Sequence, residues 1–204
     1  MKKYYIPLGC DCHPAGILGK LRLRKESLPF DWMLISTLQL FNYINTQIQN
    51  KFIDYLDEPE YNKNKISFSK KYPNALFYHQ DIFNEEIRKT LKNRAQKFIN
   101  ILNRKNCIIY FFTCIDYNSF NDLSIDEKNI LYEDIQNFKN NNIKAIYKLI
   151  IYFRNDNNDF NLELPEYYKN SNNIIFEKYI RNKSVSKHFG AREDFLPIIT
   201  KNKF

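Results

Sequence analysis

The chain predicts an α/β fold, a single domain over residues 1–204 in which a mostly parallel sheet is flanked by helices in a Rossmann-like three-layer arrangement. Three observations carry that expectation. Apolar runs of strand length alternate with helix-period segments along the sequence. The run "CIIYFFTC" at 107–114 is apolar without a break, as a central strand buried on both faces requires. Hydrophobic residues make up 44% and aromatics 16% of 204 residues, enough to fill a core without disulfides.

The elements follow in order. Residues 4–8 read as a short buried strand. "HPAGILGKLRLRK" then offers a helix that begins at Pro14, is weakened by Gly16 and Gly19, and carries Arg22, Arg24 and Lys25 in its last turn. From Ser36 to Leu56 the residues Phe41, Ile44, Ile48, Phe52 and Tyr55 fall on one helical stripe, stopped before Pro59. "ISFSKKYPNALFYHQD" alternates and turns like one or two short strands.

A second amphipathic helix begins at Asn84, with Glu85 and Glu86 in its first turn, Ile87, Leu91, Ala95, Phe98 and Leu102 inward, and Arg104 and Lys105 at its close. Ser124 and Glu127 form a capping box for a helix through Phe138. "KAIYKLIIYF" and "NIIFEKYI" supply further strands. In such a fold, functional groups gather where strands end and helices begin. That places Cys12 and Cys114 on the same sheet edge.

The formal charge is +8. It is dispersed among acidic residues in short pieces such as "RKTLKNRAQK", so nucleic acid is not an expected partner. The start "MKKYYIPLGCDC" lacks the apolar core of about 7–15 residues that a secretory signal needs. The longest apolar run, "AIYKLIIYF", is interrupted by Lys148 and is far short of a membrane span. A cytoplasmic protein with free thiols and no membrane partner is expected. Gly9, Gly16, Gly19 and Gly190 build neither a Walker loop nor a dinucleotide fingerprint, and no cofactor is implied.

The segment "GCDCH" concentrates two of the four cysteines and one of the three histidines right after the first strand. A cysteine at the turn into a helix meets backbone N–H groups and the positive end of the helix dipole, which favour thiolate. Cys12 is therefore the candidate nucleophile, with Cys10 read as a small buried hydrophobe. His13 adjoins Cys12 and points elsewhere. His79 is the candidate base and has Asp81 two residues on to orient its ring. His188 has no comparable local carboxylate and would need Glu193 or Asp194 to fold back to it.

Metal binding by "CDCH" is disfavoured, because Cys107 and Cys114 stand at opposite ends of a strand rather than in a second knuckle. No metal ligands are assigned. A redox pair is disfavoured by the absence of C-x-x-C.

The stretch "IPLGCDCHPAGILGKLRLRKESLPFDWM" resembles a bacterial family of uncharacterised proteins described as papain-like cysteine peptidases. The match lies in Leu8, Gly9 and Cys12, then Leu23 and Arg24, then Pro29, Phe30, Asp31 and Trp32. "LFYHQDIF" is similar to the family's aromatic F-x-H-D-F segment, with Gln80 intruding between His79 and Asp81. The resemblance implies Cys12 as nucleophile, His79 as base, and Asp31 or Asp81 as orienting carboxylate, with a papain-like fold as the alternative architecture. Asp31 also reads as a helix cap or a brace for the loop. Trp32 and Arg24 are the substrate-binding candidates.

The expected activity is a thiol-dependent hydrolase or acyltransferase acting on a peptide, acyl or sugar-containing substrate. Two alternatives are a non-catalytic module that binds a sugar, nucleotide or protein, and an SGNH-like esterase. The esterase reading lacks a serine at the nucleophile position.

Overall fold

The computed structural model describes residues 1–157, 160–169, 171–182 and 189–202. The chain runs β1 (Lys2–Pro7), α1 (His13–Lys20), β2 (Leu34–Ile35), α2 (Leu40–Gln49), β3 (Pro59–Tyr61), β4 (Ser67–Ser69), β5 (Ala75–Phe77) and α3 (Glu85–Leu102). It continues through β6 (Cys107–Asp116), α4 (Tyr117–Asn121), α5 (Ile125–Asn137), β7 (Ile146–Asn155), α6 (Glu166–Lys169), β8 (Ile174–Ile180) and α7 (Arg192–Lys201).

The main sheet has the order β1-β6-β7-β8 and is parallel throughout, with registers Lys2↔Cys107, Asp116↔Arg154 and Asn155↔Ile180. Its central strands are apolar on both faces because both faces are covered. On one face Phe111 packs against Phe98 of α3 and against Phe138. On the other, Phe112 and Tyr152 meet Phe195 of α7, beside His13 of α1. Helices thus flank a parallel sheet, as the alternating sequence requires. Among the described residues no helix is long and apolar enough to cross a membrane.

A second, antiparallel sheet has the order β2-β5-β4-β3. The N–H of Ile35 donates to the Cys10 carbonyl at 2.9 Å, which ties this sheet to the β1–α1 turn.

Two helices are shorter than their sequence patterns suggest. Helix α1 stops at Lys20, so Arg22, Arg24 and Lys25 lie beyond it. Arg22 takes φ +57, with Arg22 N–H on the Gly19 carbonyl and Leu23 N–H on the Leu18 carbonyl, a Schellman ending. Helix α2 ends the same way at Lys51, where φ is +56 and Phe52 N–H reaches the Gln47 carbonyl. The stripe residues Phe52 and Tyr55 stay buried, but on a turn rather than a helix. Ser36 to Gln39 precede α2, and the second sheet begins at Leu34.

Candidate functional site

The carboxyl ends of β1, β6 and β7 converge on one polar cluster. Gly9 and Cys10 both adopt left-handed backbone, φ +64 and +70, which turns the chain sharply from β1 towards α1. This conformation costs a non-glycine residue about 1–2 kcal/mol. It holds Cys10 and Asp11 at the wall of a cleft of about 790 Å³. Asp116, Ser119 and Arg154 contribute from the β6 and β7 ends, and Leu34 to Gln39 with Asn74 close the opposite side.

Asp11 organises the cluster. Its Oδ1 accepts from the His13 backbone N–H at 2.8 Å and from the Cys10 thiol at 3.5 Å, while its Oδ2 accepts from Arg154 Nη1 at 2.7 Å. Arg154 Nη2 also reaches Asp116 Oδ2 at 3.4 Å. Burial raises the Asp11 carboxyl, but Arg154 and the His13 N–H outweigh it and hold the group below its ordinary value.

Helix α1 starts as expected, with Cys12 at the N-cap and Pro14 in the first turn. Cys12 is the one cysteine of the four that is not buried. Its thiol is not shifted towards thiolate: burial pushes it up, Asp11 adds to that, and Arg154 opposes it. Among the donors at this helix start the His13 N–H goes to Asp11 and Pro14 has none. The dipole argument drawn from sequence left out the burial of the thiol and the Asp11 charge beside it.

His13 is a satisfied core histidine. The Phe189 carbonyl can only accept, so Nε2–H donates to it at 3.2 Å, and Nδ1 accepts from the Tyr152 hydroxyl at 2.7 Å. Burial, reinforced by Arg154, lowers its pKa to about 3.

The other site candidates form a separate assembly. Arg24 Nη1 contacts Asp31 Oδ2 at 2.6 Å, and its guanidinium lies over the Trp32 ring at 5.1 Å. Trp32 meets His79 edge-on at 6.0 Å. Asp31 is fully buried and its Oδ2 also accepts from the Leu28 N–H at 3.1 Å, so it braces the "PFDW" loop. Burial pushes its carboxyl up to about 6 against the pull of Arg24. His79 and Asp81 line a second pocket, where Asp81 accepts from Tyr61 Oη.

This assembly sits at the far end of α1 from Cys12. A Cβ on Gly19 would stand 3.9 Å from the Arg24 guanidinium, and Gly19 is about 10 Å along the helix from Cys12. Among the described residues, Cys12 shares no hydrogen bond or ring contact with His79, and the two line no common pocket. Asp31, Arg24, Trp32 and His79 are thus brought together, whereas Cys12 is not brought to them. His188 lies outside the described residues.

Cys114 is inside β6 rather than after it, and the thiol it approaches is that of Cys10. Sequence spacing missed this grouping, because a parallel neighbour is set by register: Pro7 pairs with Phe112, so the residues just beyond them meet. The Sγ atoms of Cys10 and Cys114 and a carboxylate oxygen of Asp11 lie within 4.8 Å of one another, a set able to hold a metal ion. Arg154 was likewise not singled out by sequence, and Asp11 entered only as the carboxylate of the disfavoured "CDCH" metal reading.

The fold is thus a parallel α/β sheet with a thiol-bearing strand-to-helix turn beside a cleft. The family model described as "Putative papain-like cysteine peptidase (DUF1796)" matches residues 3–155, and the chain belongs to that family. Comparison with curated proteins and with solved structures found no match.

Proposed function

We propose that the protein is a thiol-dependent hydrolase or acyltransferase with Cys12 as nucleophile, its substrate reaching Cys12 from the cleft at the carboxyl ends of β1, β6 and β7, whose wall is formed by the neighbouring Cys10 and Asp11 and not by Cys12 itself. The observation that carries this reading is the accessibility of Cys12 at the N-cap of α1, while Cys10, Cys107 and Cys114 are buried. Its thiol makes no capping bond, so sulfur is free to attack. In the reaction the sulfur adds to a substrate carbonyl, the thiol proton passes to the leaving amine or alcohol, and water or a second acceptor then releases the acyl group. The Cys12 backbone N–H and Arg154 favour the thiolate that this requires, although burial and Asp11 outweigh them in the free protein. The polar wall of Ser36, Thr37, Gln39, Asn74 and Ser119 suits a peptide, acyl or sugar-linked group.

The test is hydrolysis of activated esters and of fluorogenic peptides by wild type and by Cys12→Ser, with thermal unfolding measured alongside. Turnover lost on an intact fold supports the reading. Turnover retained in Cys12→Ser removes it.

A second reading, a non-catalytic module that binds its ligand in the same cleft, is favoured by the Cys12 thiol, which burial and Asp11 push away from thiolate, and by the cleft wall, which Cys10 and Asp11 line rather than Cys12. Ligand affinity unchanged by Cys12→Ser, with no turnover in either form, would select it.

A further inference from the structure

The geometry points to a metal site for a zinc-class divalent cation, held by Cys10, Asp11 and Cys114, with its fourth coordination position opening into the cleft. The site does not use the Cys12 thiol, although it opens into the same cleft.

The three ligands come from chain segments that the fold itself fixes. Cys10 and Asp11 belong to the left-handed turn after β1, and Cys114 belongs to the neighbouring strand β6. Their ligand atoms lie within 4.8 Å of one another. Tetrahedral zinc with bonds of about 2.3 Å to sulfur and about 2.0 Å to oxygen has a sulfur-to-oxygen edge of about 3.5 Å. The Cys10 Sγ to Asp11 Oδ1 distance is 3.5 Å, so little rearrangement is needed along that edge.

Charge also fits. Asp11 and Arg154 form an ion pair. Two cysteine thiolates on one divalent cation sum to zero, so the bound ion adds no net charge beside that pair. Arg154 holds Asp11 by Oδ2, and the His13 N–H holds Oδ1 on the side of Cys10, the orienting part that outer-shell groups play at metal centres. Two thiolates select a zinc-class or softer ion over magnesium or calcium. Because Cys10 and Asp11 line the cleft, the remaining position faces it and takes water or a ligand group.

The experiment adds Co2+ and Zn2+ to the reduced, chelator-treated full chain, reading thiolate-to-cobalt charge-transfer absorption, proton release and zinc retained after dialysis. The expected result is a stoichiometric complex with charge-transfer absorption, release of about two protons per ion, and zinc displacing cobalt. Cys10→Ser and Cys114→Ser, each shown to unfold cooperatively, should weaken binding by more than about 100-fold, beyond what outer-shell changes produce. Cys107→Ser should bind as wild type. The proposal is overturned by absence of charge-transfer absorption in wild type, by its persistence in folded Cys114→Ser, or by its dependence on Cys12 instead of Cys114.

Discussion

Arg154 Nη1 donates to Asp11 Oδ2 at 2.7 Å, joining the end of β7 to the turn that follows β1. Only 10% of the Arg154 side chain and 25% of the Asp11 side chain meet solvent, so each relies on the other. Arg154→Met should cost about 2–3 kcal/mol in urea unfolding, less than the roughly 3–5 kcal/mol of a fully buried pair because Asp11 keeps some water. The double variant Asp11→Asn, Arg154→Met should recover most of that loss. Equal destabilisation in the single and double variants would show that packing, not charge, is at stake.

His13 gives the protein a specific weakness in acid. Its folded pKa of about 3 lies below the ordinary value of 6.5, so between these values the unfolded chain binds a proton that the native state refuses. The contribution is full above pH 6.5 and is lost as pH falls towards 3, to a limit of about 4–5 kcal/mol. In chelator-treated protein, wild type should lose more stability than His13→Gln between pH 7 and pH 4.5. Parallel pH profiles would contradict the assignment of His13 as a buried neutral group.

Alkylation by iodoacetamide, resolved by peptide mass spectrometry, should reach Cys12 first among the four thiols, with an apparent pKa at or above the ordinary thiol value. His79→Ala should leave that titration where it was, because His79 sits with Trp32 at the other end of α1. A titration that moves in His79→Ala would bring the two groups together and restore the dyad that the sequence suggested.

Lys51 occupies the left-handed position that ends α2, where glycine has no Cβ penalty. Lys51→Gly should therefore raise stability by about 1 kcal/mol, with an unchanged denaturant slope. An unchanged or lowered midpoint would mean that the strain is relieved elsewhere.

The layers of the fold were legible because burial writes itself into sequence. "CIIYFFTC" reads as a two-sided strand and is β6, and Ser124 with Glu127 reads as a capping box and is one, with both reciprocal bonds present. Helix ends at Arg22 and Lys51 were not legible, since the usual glycine signal is absent and the stripe continues past them. The site was legible only in part. "GCDC" marked the right turn, and "PFDW" marked a genuine assembly around Arg24. The partners of Asp11 come from Arg154, whose approach depends on sheet register, and register across a parallel sheet leaves no local trace in sequence.

Among the described residues β1 is an edge strand, paired in the main sheet with β6 alone. During synthesis Lys2 emerges about 100 residues before Cys107, the residue it pairs with, so the first strand waits unpaired over about half of the sequence. Parallel pairings of this kind close slowly and expose sticky edges meanwhile. Lys2 and Lys3 stand at the head of that strand as charges against premature pairing with another copy. Replacing them with apolar residues would leave the native fold little changed while making the nascent chain far more prone to aggregate.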